Sequence, residues 1–176
     1  MRLRRRRLVE RKRKGRFVLN LDDDAVDLIA DLAGQLDPLL DDPSADPGLR
    51  RLFPPAHTED VLAEAAWQIE QGGRLRDARR VALAALDQPP GTVLNEDELV
   101  AWMQGVNALR LVLAERLQVT SDPEQEQAEL EAALAAAESD DDAVAEAGRR
   151  ALQAWAVYQH LGLMVSDAVD ALGDPA

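Results

Sequence analysis

The densest chemistry-bearing cluster in this chain is cationic. Arg2, Arg4, Arg5, Arg6, Arg7, Arg11, Lys12, Arg13, Lys14 and Arg16 fall within the first 16 positions, opposed only by Glu10, a net charge of +9. The remaining 160 residues hold ten cations and 32 anions, a net −22. So many guanidinium and ammonium groups in one short segment suit a polyanion. Duplex nucleic acid carries about one charge per 1.7 Å of axis, and neutralising it releases counterions. Arg4, Arg5, Arg6, Arg7, Arg11, Lys12, Arg13 and Lys14 are therefore the candidate nucleic-acid contacts. Against this, the anionic body repels DNA unless it is held beyond a Debye length of about 8 Å. The competing expectation is that the arm folds onto an acidic face of its own chain or of a neighbour.

Other chemistries find little support. The two histidines, His57 and His160, are not spaced as a metal pair and belong to no HExxH or Ser/His/Asp arrangement. There is no cysteine, which excludes disulfides, thiolate metal sites and thiol redox switches. The acidic clusters Asp22–Asp24, Asp41-Asp42 and Asp140–Asp142 lack the D-x-D-x-D-G pattern of a calcium loop, and helix starts account for the first and third. No GxxxxGK[ST], GxGxxG or GxSxG is present. Gly72-Gly73 precedes Arg74, Arg76, Arg79 and Arg80, of which the last three lie on adjacent turns and could meet a phosphate; pairing with the fold's own carboxylates is the stronger expectation. The residues predict a protein that is not an enzyme and carries no cofactor or metal.

A second polar set interrupts an apolar helix. Asn107, Arg110 and Arg116 share it with Trp102. A partly buried arginine needs a carboxylate, because an isolated charge in low dielectric costs several kcal/mol. The aspartates of the first helix and Glu64 are the expected partners. The sharper alternative is an effector carboxylate or phosphate docking on Arg110.

The elements that position these groups follow from composition and periodicity. Hydrophobic residues make up 47% of the 176, but aromatics only 3%, with Ala and Leu filling the difference, which favours helices. The fold class expected is mainly α: a multi-helix bundle (22–176) with a short N-terminal β-hairpin (1–21). Phe17-Val18-Leu19-Asn20-Leu21 is β-compatible, and Lys12-Arg13-Lys14-Gly15 supplies the turn. A disordered basic tail up to Lys14 is the alternative. The Asp22–Asp24 run opens a helix with Val26, Ile29, Leu32, Ala33, Leu36 and Leu40 as its buried stripe. Thr58 is expected to cap a helix through Glu70, with Gly72-Gly73 bending or breaking the chain before a further helix over 74–86. Asn95 caps a central helix over 95–118, apolar around most of its circumference. Pro123 begins another helix. The Asp140–Asp142 cluster caps a last long one whose Val144, Ala151, Trp155, Tyr158, Val165, Val169 and Leu172 form a seam for the core, a dimer interface, or both. No apolar stretch reaches the ~18 residues a membrane span needs, so no membrane association is expected, and the cytoplasm is the default location.

Several segments resemble a family known mainly from actinobacteria. They are Leu52-Phe53-Pro54-Pro55-Ala56, Asp60, Ala101-Trp102, Asn107-Ala108-Leu109-Arg110-Leu111-Val112-Leu113 and Arg116-Leu117. Members are long catalogued as uncharacterised, are often encoded beside the ClpS adaptor of the Clp protease, and include AosR-type oxidative-stress transcriptional regulators. The resemblance covers most of residues 15–172. It implies a non-enzymatic, cytoplasmic regulatory protein. Three departures stand out. His57 replaces a usual aromatic, the arm is more basic, and without cysteine no thiol-based oxidant sensing operates in this chain.

The expectation is a transcriptional regulator acting by DNA or protein binding, homodimerisation being part of it, with a protein-interaction adaptor linked to Clp proteolysis, without DNA binding, as the alternative.

Overall fold

From Arg7 onward the basic segment folds back on itself as a hairpin and joins the core. In the computed structural model, which describes residues 7–120 and 122–173, β1 (Val9–Lys12) pairs antiparallel with β2 (Arg16–Leu19). The register sets Val9 opposite Leu19 and Arg11 opposite Phe17. Lys14 and Gly15 both take left-handed backbone, at φ 62° and 63°, which closes the three-residue turn. Side chains alternate across a strand, so Val9, Arg11, Phe17 and Leu19 share one face. Val9, Phe17 and Leu19 are fully buried. The strands are shorter than residues 2–21, and Arg4, Arg5 and Arg6 lie outside the described residues.

A third strand, β3 (Val93–Leu94), adds to β2 with Phe17 opposite Leu94. It was not expected. Two residues carry no readable period, and Pro89-Pro90-Gly91 reads as a plain stop. Gly91, at φ 77°, turns the chain so that its N–H donates to the Leu19 carbonyl at 3.0 Å.

Among the described residues, five α-helices follow the mainly α expectation: α1 (Asp23–Leu36), α2 (Val61–Ala84), α3 (Glu96–Arg116), α4 (Pro123–Ala137) and α5 (Asp142–Gly173). Asp22 caps α1, its carboxylate accepting from the Ala25 N–H. Asn95 and Glu98 form a reciprocal capping box on α3. Central α3 packs against α1, α2 and α5 and buries Leu99, Trp102, Val106 and Leu109 in a core shared with Ile29, Leu40, Leu161 and Met164. A smaller cluster of Ala114, Val119, Trp155 and Tyr158 lies toward the other end of α3.

Three expectations are corrected. α2 runs unbroken through Gly72-Gly73, and its cap is Asp60, whose Oδ1 accepts from the Leu62 and Ala63 N–H groups, not Thr58. Each glycine weakens a helix by only about 1 kcal/mol, which the flanking helix formers and the packing on α3 outweigh. On α5 the buried line runs through Ala145, Gly148, Trp155, Tyr158, Leu161, Met164, Ala168 and Ala171, while Val144 and Val169 are exposed. The small residues sit inside because α4 and α5 approach closely. A Cβ at Gly148 would lie 2.3 Å from the backbone N of Ala137. Hydrophobicity alone favours the valines and overlooks that steric demand.

Candidate nucleic-acid interface

The hairpin divides the cations by direction. Arg11, on the core-facing side, turns onto the end of α5, its Nη1 donating to the Ala171 and Leu172 carbonyls at 3.5 and 3.4 Å. Its guanidinium also stands 5.5 Å from the Phe17 ring. The last turn of α5 contains no basic residue, so Arg11 supplies from another element the cation that a helix C-terminus favours. Lys12 Nζ meets Glu10 Oε1 at 2.8 Å. Arg13, Lys14 and Arg16 stand exposed around the turn, with no ion-pair partner among the described residues. Arg7 is exposed and engaged in an interaction of its own.

What anchors the hairpin went unseen in the sequence. Asp167 on α5 is only 5% exposed, and its Oδ2 accepts from the Leu8 N–H at 2.7 Å. A lone aspartate in a helix reads as solvated, and nothing local marks it as the holder of a strand 159 residues away.

The polar residues of α3 do not converge. Trp102 is fully buried, its indole N–H without a partner among the described residues. Asn107 is half-buried. Arg110 meets no carboxylate of α1 and not Glu64. Its Nη2 donates to the Tyr158 hydroxyl at 3.1 Å, its guanidinium lies 5.0 Å from that ring, and its buried Nε has no partner among the described residues. The face of an aromatic ring thus replaces the expected ion pair. Arg116, turned about 120° away on the helix, pairs instead with Asp46 at 3.1 Å.

Of the Gly-basic stretch, only Arg80 pairs with carboxylates among the described residues, while Arg76 lines an open groove. Arg80 binds Asp41 and lies 3.7 Å from Asp37. Arg79 Nη2 reaches the Leu52 carbonyl at 3.5 Å, and burial lowers its pKa. Glu64 clasps the Pro-Pro joint, Oε2 accepting from the Ala56 and His57 N–H groups at 2.9 and 2.8 Å. His57 itself is exposed.

Open grooves also mark the surface. One of about 480 Å³ lies between α4 and α5 and is lined by Leu130, Leu152 and Trp155. Another of about 350 Å³ is lined by Asp41, Phe53, Gln68 and Arg76. Neither brings together a nucleophile, a base and an oxyanion donor. No helix among the described residues is long and apolar enough to cross a membrane.

Comparison with curated proteins and with solved structures returns no match. The family comparison does return one. A helical bundle carrying this N-terminal hairpin is matched over residues 5–172 by the family described as a domain of unknown function, DUF2017, and the chain belongs to that family.

Proposed function

We propose that this protein is a non-enzymatic cytoplasmic regulator that acts by binding, with DNA touched by the hairpin and transcription as the process regulated, and that it works as a homodimer. The observation that carries the reading is the tip. Arg13, Lys14 and Arg16 project from a turn that the buried faces of β1 and β2 hold rigidly to the core. Two strands fit a major groove about 12 Å wide, and cations held on a rigid ribbon lose little entropy on meeting phosphates. Arg11 and Lys12 are engaged within the protein, so of the eight residues expected the reading rests on Arg13 and Lys14, joined at the tip by Arg16, while Arg4, Arg5 and Arg6 lie outside the described residues. The AosR-type resemblance supports the regulatory role.

The test is retention of duplex DNA across salt. With about five phosphates neutralised, log affinity falls with log salt at a slope of about −4 to −5. Replacing Arg13, Lys14 and Arg16 by Gln removes three contacts and flattens that slope by about 2.7. An unchanged slope overturns DNA contact by the tip. Capture of a protein partner that survives the same replacements favours the adaptor linked to Clp proteolysis instead.

A further inference from the structure

The groove between α4 and α5 is apolar surface left open to water. Among the described residues, α4 packs on α5 and makes at most a slight contact with any other element. Of its 15 residues only Ala133 is buried, while Leu130 is 39% exposed and Leu134 49%. The groove follows α4 from Pro123 to Leu130 and α5 from Leu152 to Gln159, two turns of each, with Trp155 and Ala156 along it. A channel running along two packed helices suits a third helix, which would complete a three-helix bundle with anchors at i, i+3 or i+4, and i+7.

The charges select among helices. Of the residues lining the groove only Glu126 is charged. It is half-buried, and its carboxylate has no hydrogen-bond or ion-pair partner among the described residues. A carboxylate held in an apolar groove costs free energy until a cation meets it. Glu131 stands at the rim, its Oε1 accepting from the side-chain amide of the lining residue Gln127 at 2.8 Å. Both acids belong to a stretch, residues 122–148, that holds ten carboxylates and no lysine or arginine. A second copy of this groove would bring only acids to meet these acids, and nucleic acid or an anionic membrane is repelled in the same way. The hairpin tip of a second copy has the right sign, but Arg13, Lys14, Gly15 and Arg16 offer no apolar side chain to fill the groove.

We infer that the α4–α5 groove is a docking site for a cationic amphipathic helix of another protein. The apolar face of that helix lies against Leu130, Leu152 and Trp155, and a lysine or arginine beside it meets Glu126 and Glu131. Two turns of contact bury less than a standard interface, so the complex is a weak, exchanging one. The inference does not depend on DNA contact by the hairpin.

The test uses a fluorescein-labelled peptide of about 15 residues, built of leucine and lysine in helical spacing, titrated by anisotropy against the full chain at physiological salt. It is expected to bind. The same residues in strict alternation, and a leucine–glutamate peptide in helical spacing, are expected not to. Glu126→Lys and Leu130→Ser should each weaken binding about tenfold, with an unchanged circular dichroism spectrum, since neither side chain is buried. Glu70→Lys, the same charge change at an exposed position of α2, should alter binding by less than about twofold. Amide shifts on adding the peptide should fall on 123–134 and 148–160. A leucine–lysine peptide that does not bind overturns the inference. So does equal binding of the alternating peptide, an equal loss with Glu70→Lys, or shifts centred elsewhere, each of which marks diffuse attraction to the anionic body. Self-association of the wild type that Leu130→Ser abolishes gives the groove to a second copy and overturns it as well.

Discussion

Arg11 shows how one position decides between binding a partner and building the fold. By composition it belongs with its neighbours in the cationic arm. By strand alternation it shares the buried face with Val9 and completes the end of α5. Arg11→Ala should therefore cost about 0.3–1 kcal/mol of stability, read by urea denaturation, and speed amide exchange in the last turn of α5. It should leave the salt slope of DNA retention unchanged, whereas the tip replacements should not. Glu64 is the titratable counterpart. The Gln68 side-chain amide first, then the His57 and Ala56 backbone N–H groups, hold its carboxylate below the ordinary 4.5, with desolvation opposing them. A depressed carboxylate stabilises above its unfolded-state value, and that contribution disappears as pH falls through the folded one. The clasp on the Pro-Pro joint should thus persist below pH 4.5. The Glu64 carboxyl, followed by NMR, should titrate beneath that value, and Gln68→Ala should raise the midpoint.

Among the elements, glycines report where helices touch. A Cβ at Gly105 on α3 would stand 2.3 Å from the Ala82 carbonyl and 2.8 Å from the Leu86 side chain. The obstacle is backbone, so Gly105→Ala must push α2 from α3, at a cost of about 1–3 kcal/mol or more. Gly34 on α1 meets nothing within 4 Å. There Gly34→Ala should stabilise by about 0.5–1 kcal/mol through helix propensity and a less flexible unfolded chain. Opposite signs for the same chemical change, read from urea midpoints, check the packing directly. Helix starts were legible in sequence because caps are local, as Asp22, Asn95 and Pro123 illustrate. The inward face of α5 was not, since it depends on how near α4 comes at Gly148.

For the molecule as a whole, the described part of the +9 segment, from Arg7 on, is no detachable tail. Val9 is fully buried, and the Leu8 N–H satisfies the buried Asp167 carboxylate. Removing residues 1–14 would take away β1, expose its apolar contacts and deprive Asp167 of a donor, a loss of about 3 kcal/mol or more. Such a truncation should lower the urea midpoint markedly, which is why DNA contact is better tested by neutralising the tip. The long-range charge pattern is unaffected by this anchoring. A cationic ribbon tip remains attached to an anionic helical body, and orientation toward a polyanion follows from that asymmetry.

Composition, apolar period and capping residues determined by themselves that this chain is mainly helical, that a hairpin precedes the bundle, and that cations crowd its front. These are short-range properties, written in neighbours three or four positions apart. The tertiary structure alone decided which cations face outward, that Arg110 meets Tyr158 and not an acid, that Asp167 holds the hairpin, and that α4 and α5 leave an apolar groove open between them. Each of these depends on groups tens of residues apart being brought within a few ångströms, and no local pattern encodes such a distance.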